Sequence, residues 1–214
     1  KLAESLVPER EKPESVIIRP EFLDETAIKV PSIALQNVRL ELGRAGEILL
    51  GMLRDVGPAL RDRDMAAIEA IAKRDDEVDI LYEQILDYMG KISKGTLTES
   101  QTQELLNLMT ALSELENIGD TVETNLVDLG HDRIDAGFSI SDSTAKVLND
   151  FQDVVMKALK GAILAVAHNN REAAEDVIRM KEEITALADS AAVHQAGRLV
   201  AEEPNRIAAY TTEI

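Results

Sequence analysis

Apolar residues recur every three to four positions along most of this chain, and that period predicts helices. After Pro31, a residue suited to a first helical turn, Ile33, Leu35, Val38, Leu42, Leu49, Leu53 and Val56 mark one face of a long helix carried to about Arg61. A second helix is predicted from about Asp64 to Ser93, with Ile68, Ile71, Val78, Ile85, Met89 and Ile92 on its seam, ended by Ser93-Lys94-Gly95. Thr98 with Gln101 three residues on has the layout of a capping box. Behind it Leu105, Leu108, Leu112, Leu115, Gly119, Val122, Leu126 and Leu129 form a heptad seam. Gly130 and the segment from His131 to Gly137 break the period. Ser139 and Ser141 are candidate caps for a fourth helix through Val147, Leu148, Phe151, Val155, Leu159 and Val166. Asn169-Asn170 marks a turn, and a fifth helix is expected from about Arg171 to Ala201, ahead of Pro204. Lys1 to about Lys29 hold Pro8, Pro13 and Pro20 without a sustained period, which predicts an extended arm.

Sliding the chain on itself by about 106 residues superposes one helix-turn-helix on another. Ala67, Ile71, Val78 and Leu81 fall on Ala173, Val177, Ile184 and Leu187, while Leu49 and Leu53 fall on Val155 and Leu159. The expected architecture is therefore all-α: two repeated antiparallel three-helix bundles, the second without its last helix in this chain. The divisions are an arm over 1–30, a first bundle over 31–132 and a truncated second repeat over 138–214. By the same offset the second unit's third helix would begin near Pro204. Val155, Leu159, Val177, Ile184 and Leu187 should then keep apolar surface exposed, which favours self-association through the fourth and fifth helices or by exchange of the first 30 residues.

Composition narrows the function. Lys and Arg number 23 against 40 Asp and Glu, a net charge of −17 over 214 residues. Such a chain is repelled by phosphate backbones and anionic lipid, which disfavours nucleic acid and direct lipid insertion. It holds no cysteine, so disulfides, thiolate metal sites and a thiol nucleophile are excluded. No stretch approaches the length of a membrane span. The chain starts at Lys1 without a Met and reads as a piece of something longer.

Two acidic clusters stand out. The second helix carries Asp75-Asp76-Glu77-Val78-Asp79, and the third carries Glu114, Glu116 and Asp120. Asp75 with Asp79, and Glu116 with Asp120, are four apart and so share a helical face. In an antiparallel hairpin about Thr96 the two pairs lie at similar height. Asp75 falls on the apolar seam itself, where an unpaired carboxylate is costly. A bound cation would resolve that conflict, and an oxygen-only set suits hard or borderline ions. Gly119 would let a neighbouring helix or an ion approach closely. The plainer reading of an i, i+4 acidic pair is a solvated face, and Glu83 and Glu123 are read that way. His131, His168 and His194 show no pattern of base or nucleophile. Tyr82 reads as core, Met52, Met89, Met109 and Met156 as core fillers, and no phosphate loop or Ser/His/Asp arrangement appears.

Glu116-Asn117-Ile118-Gly119-Asp120 with Asn125 resembles the glutamate-arginine-isoleucine-glycine-aspartate signature, followed by asparagine, of the PhoU family. Asp75 to Asp79 with Leu81 and Tyr82 resembles that family's other acidic motif. The likeness runs from Phe22-Leu23-Asp24 and Pro31-Ser32-Ile33-Ala34-Leu35 to His194 and Leu199, and its entry is similar to that of PhoU-like domains fused behind sodium/phosphate cotransporters. Asn117 departs from the usual basic residue and Thr121 from the usual histidine or small residue. In the second repeat Lys181 and Thr185 stand where Asp75 and Asp79 would be, so at most one site is expected. The resemblance implies a metal site at Asp75, Asp79, Glu116 and Asp120 for a divalent or trivalent ion, with iron, zinc and magnesium undistinguished. It implies a non-enzymatic, cytoplasmic domain that regulates phosphate uptake. Its partner would be the membrane domain of a phosphate transporter, in the same polypeptide at the inner membrane, or a regulatory protein. A carboxylate-bridged metalloenzyme in a helical bundle and a purely structural adaptor are the alternatives. Against the enzyme, such bundles pair Glu with a His three residues on, and none lies near Asp75 or Glu116.

Overall fold

The computed structural model describes residues 18–136 and 141–199, and these form helices and short connections with no strand among them. A single 3-10 turn, Glu25–Lys29, precedes α1 (Pro31–Asp62), α2 (Met65–Ile92) and α3 (Glu99–Asp120). α3 runs through a π-helical turn, Thr121–Val127, into α4 (Asp128–Ala136). Then come α5 (Asp142–Ala167), α6 (Arg171–Arg179) and α7 (Lys181–Leu199).

Local chemistry accounts for the boundaries. Pro31 opens α1 with a φ already helical. Arg63, left-handed at φ 57°, ends it, and the Asp64 side chain then caps α2 by accepting from Ala67 N–H. Thr98 and Gln101 make the reciprocal capping box at the start of α3. The same turn recurs 106 residues later: Asn169 is left-handed at φ 49°, and Asn170 caps α6 by accepting from Ala173 N–H. Two turns with one chemistry at one offset are the structural form of the internal repeat.

α1 is the spine. On one side it packs with α2 and α3 as the first three-helix bundle, and on the other it carries α5 of the second unit, against which α6 and α7 pack. Glycines set the α1–α5 distance: a Cβ on Gly43 would come 2.8 Å from Cβ of Ala167, and one on Gly46 would come 2.6 Å from Cγ1 of Ile163. The first bundle's core divides in two. Leu35, Val38 and Leu42 meet Leu81, Ile85 and Met89 with Leu105, Leu108 and Leu112. Leu49, Met52 and Val56 meet Ile68, Ile71 and Val78 with Val122 and Val127.

Several expectations are corrected. The third helix does not break at Gly130; it continues to Ala136, and its seam does not keep the heptad. The π-helical turn inserts one residue, so Val127 and Gly130 are buried in place of Leu126 and Leu129. Gly130 faces Ile68 and Leu60, and its missing side chain admits them. The fifth helix is broken at Met180, where one N–H shares the carbonyls of Asp176, Val177 and Ile178, giving α6 and α7. Met109 is exposed rather than core. Residues 18–29 dock on the first bundle of the same chain, with Ile18, Leu23 and Ile28 packed against its core. Ser141 supplies the cap of α5; Ser139, the arm before residue 18, and everything from Val200 onward lie outside the described residues. The second unit is thinly packed: Leu159 is buried, but Val155, Val177, Ile184 and Leu187 are half-buried, and Ile178 and Val193 are exposed at 71% and 72%. His194 is half-buried, and its ring nitrogen shares a hydrogen bond with the buried Thr144 hydroxyl.

Candidate metal centre

The first bundle brings α2 and the end of α3 together at the level where its two core clusters meet. Asp75 occupies the position its seam predicts: it is 3% exposed, in line with Ile68, Ile71 and Val78. One oxygen each of Asp75, Asp79 and Asp120 lies within 4.8 Å of the others. Asp79 and Asp120 stand at the solvent edge, so the three carboxylates run from the bundle interior outward.

Gly119 makes this approach feasible. A Cβ there would sit 2.6 Å from Oδ1 of Asp75 and 3.3 Å from Leu49, so only glycine leaves the carboxyl its place between α1 and α3. That same Oδ1 is buried and has no hydrogen-bond partner. The charged neighbours that act most strongly on Asp75 are other carboxylates. Burial, then Asp79, Glu123, Asp120 and Asp76, push its carboxyl up to about 7. Burial, and after it Asp120, Glu123, Glu116 and Asp76, raise Asp79 as well.

Of the four residues expected to converge, three do. Glu116 is half-buried one turn before Asp120 and influences Asp79, but it is not in the close group. Glu123, read from sequence as solvated face, contributes to the field on both Asp75 and Asp79. It lies in the π-helical turn three residues beyond Asp120. That turn changes the phase of the helix directly after Asp120, a departure that heptad counting does not reveal. The residues fit a cation well: an orphaned buried acid, two further carboxylates in ligand range, and oxygen donors alone. Metal-free, two such carboxylates repel by about 3–4 kcal/mol at an effective dielectric near 20. Protonation of Asp75 relieves that repulsion, and so would an ion. In the second unit the equivalent Thr185 hydroxyl is turned back onto the carbonyl of Lys181.

Comparison with known proteins covers most of this chain. Residues 42–125 match the PhoU domain model. Curated relatives named "Putative inorganic phosphate export protein YjbB" are 23% identical in Salmonella typhimurium and 24% identical in Escherichia coli K12, over 155 residues. Those alignments cover 72% of this chain but 28% of each relative, so the chain spans little more than a quarter of the proteins it matches. No solved structure matches. Asp75, Asp79, Gly119 and Asp120 all fall inside the matched segment, which runs from α1 through α2 and α3 into the π-helical turn, and over that segment this chain is similar to PhoU domains.

Proposed function

We propose that this PhoU-like domain is a non-enzymatic regulatory module of a phosphate transporter, and that Asp75, Asp79 and Asp120 hold one multivalent cation with Glu116 and Glu123 at its rim. The buried, unpartnered Oδ1 of Asp75 carries the metal reading, because a carboxylate aimed into a group of carboxylates is stable only when a proton or a cation accompanies it. The names of the relatives support the link to phosphate. The sequence resemblance pointed to control of uptake and those relatives are named for export, so the reading is control of phosphate movement by a transporter of the sodium/phosphate cotransporter kind. The domain would sit on the cytoplasmic face of the inner membrane; no helix among the described residues is itself long and apolar enough to cross one. On so acidic a surface the bound cation supplies positive charge for a phosphate oxygen. The reading includes self-association through the thinly packed α5–α7 face, which light scattering would show as a mass above that of one chain.

Calorimetric titration of chelator-treated protein with Mg²⁺, Zn²⁺ and Fe³⁺ tests the site. Binding of one ion should stabilise the fold by about 2.7 kcal/mol at 100 times the dissociation constant. Asp75→Asn with Asp120→Asn should abolish that gain. A double variant that responds to metal as the wild type does would rule this site out. Metal-dependent phosphate-ester hydrolysis or oxidation, lost on Glu116→Gln, would overturn the non-enzymatic reading.

A further inference from the structure

Outside the acidic cluster, the most completely buried charge in the described chain is Glu41, in the middle of α1 and 0% exposed. Its partners come from a remote segment. Oε2 accepts the consecutive backbone N–H groups of Glu21 and Phe22 at 2.9 and 2.8 Å, and Oε1 accepts from Nη1 of Arg44 at 2.8 Å. Arg44 also donates to the carbonyl of Arg19 at 2.9 Å and pairs with Glu21. Two further bonds tie the following residues to α2: the Tyr88 hydroxyl donates to the carbonyl of Asp24 at 2.7 Å, and Lys91 pairs with Glu25.

We propose that residues 19–25 are a releasable strap, clipped across α1 and α2 through Glu41 and Tyr88, that opens without unfolding the bundle beneath it. The clip is built from polar groups on the helices and backbone groups on the strap, while Glu21, Phe22, Asp24 and Glu25 are themselves exposed. Of the strap's side chains, Leu23 alone is packed against the core, so opening uncovers that one apolar group and otherwise mainly polar surface. It leaves Glu41 still paired with Arg44 and newly hydrated, so no bare charge is stranded in the interior. Closed, two charge-assisted bonds on adjacent amides fix the strap's register, because the carboxylate cannot shift by one residue without orphaning an N–H. The strap thus ties residues 19–22 to the middle of α1 when closed and leaves them uncoupled from it when open. This inference is independent of the metal site.

Hydrogen exchange of the full chain in a denaturant series tests it. In the wild type the amides of Glu21 and Phe22 should exchange at least tenfold faster than the core amides of α1–α3, through an opening that is insensitive to low denaturant. Glu41→Leu combined with Tyr88→Phe should remove most of the remaining protection over residues 19–25 while the core of α1–α3 keeps its wild-type rates. Tyr88→Phe alone, which leaves the core ring in place, should show the same effect at residues 24–25. Strap and core amides exchanging together in the wild type would overturn the proposal, as would core protection lost along with the strap in Tyr88→Phe.

Discussion

Oδ1 of Asp75 occupies the space that a side chain on Gly119 would take, 2.6 Å from where its Cβ would stand. A carboxyl that belongs to the apolar seam of α2 is thereby seated against the backbone of α3, one residue before Asp120. Gly119→Ala should favour the helix by up to about 1 kcal/mol through propensity, yet displace Asp75 from its seat. The expected result is a protein of near-normal stability whose thermal response to divalent metal is weakened. An unchanged response would show that the approach is not needed for the site.

Acidity should stabilise the metal-free protein. The Asp75 carboxyl is raised to about 7 in the fold against 3.8 in the unfolded chain, so between these values the folded state binds more protons. Stability is then greatest near the lower value and falls as pH rises through the upper one, by up to about 4 kcal/mol for the full interval. The upward shift of Asp79 acts in the same direction. Urea midpoints in chelator should fall from pH 5 to pH 7.5, and Asp75→Asn should flatten the trend. Added metal should reverse it, because proton and cation compete for the same oxygens.

Pro58 lies inside α1, where it cannot donate to the carbonyl of Arg54. Gln152 of α5 answers this break: its amide donates to the carbonyls of Leu53 and Arg54, with Gly57 clearing the way. Gln152→Leu should cost about 0.5–1 kcal/mol, because the Arg54 carbonyl that Pro58 leaves without a helical donor is exposed while the Leu53 carbonyl keeps its helical partner. Pro58→Ala restores a helical donor and should offset much of that loss. A double-mutant cycle in urea that shows no coupling would break the link between Pro58 and Gln152.

The two units are held at the distance that Gly43 and Gly46 permit. Gly46→Ala places a methyl 2.6 Å from Cγ1 of Ile163, so α1 and α5 must separate or Ile163 must leave its rotamer. A loss of about 1–3 kcal/mol is expected, read first as earlier melting of α5–α7, with the first bundle following at higher denaturant. A single transition at the wild-type midpoint would contradict this.

Helix existence, most helix ends and the internal repeat were legible in the residues alone, because capping and periodicity are local physics. Asp64 before Ala67, Asn170 before Ala173 and the Thr98–Gln101 box needed no tertiary partner to be recognised. The placement of Asp75 on the second seam was legible too, as was the pairing of its level with Asp120. What residue order could not determine depends on packing across the chain. The π-helical turn after Asp120 moved the seam from Leu126 to Val127 and continued the helix through Gly130, since Ile68 and Leu60 fill the space beside that glycine. Whether an acid is a ligand-range neighbour or a bystander likewise rests on positions: Asp79 and Asp120 came within reach of Asp75, Glu116 did not, and Glu123 joined the field from beyond the turn. Glu41 shows the same divide. Its sequence position on α1 gives no sign of burial, and only the return of residues 19–22 onto the helix turned a surface acid into the centre of a clip.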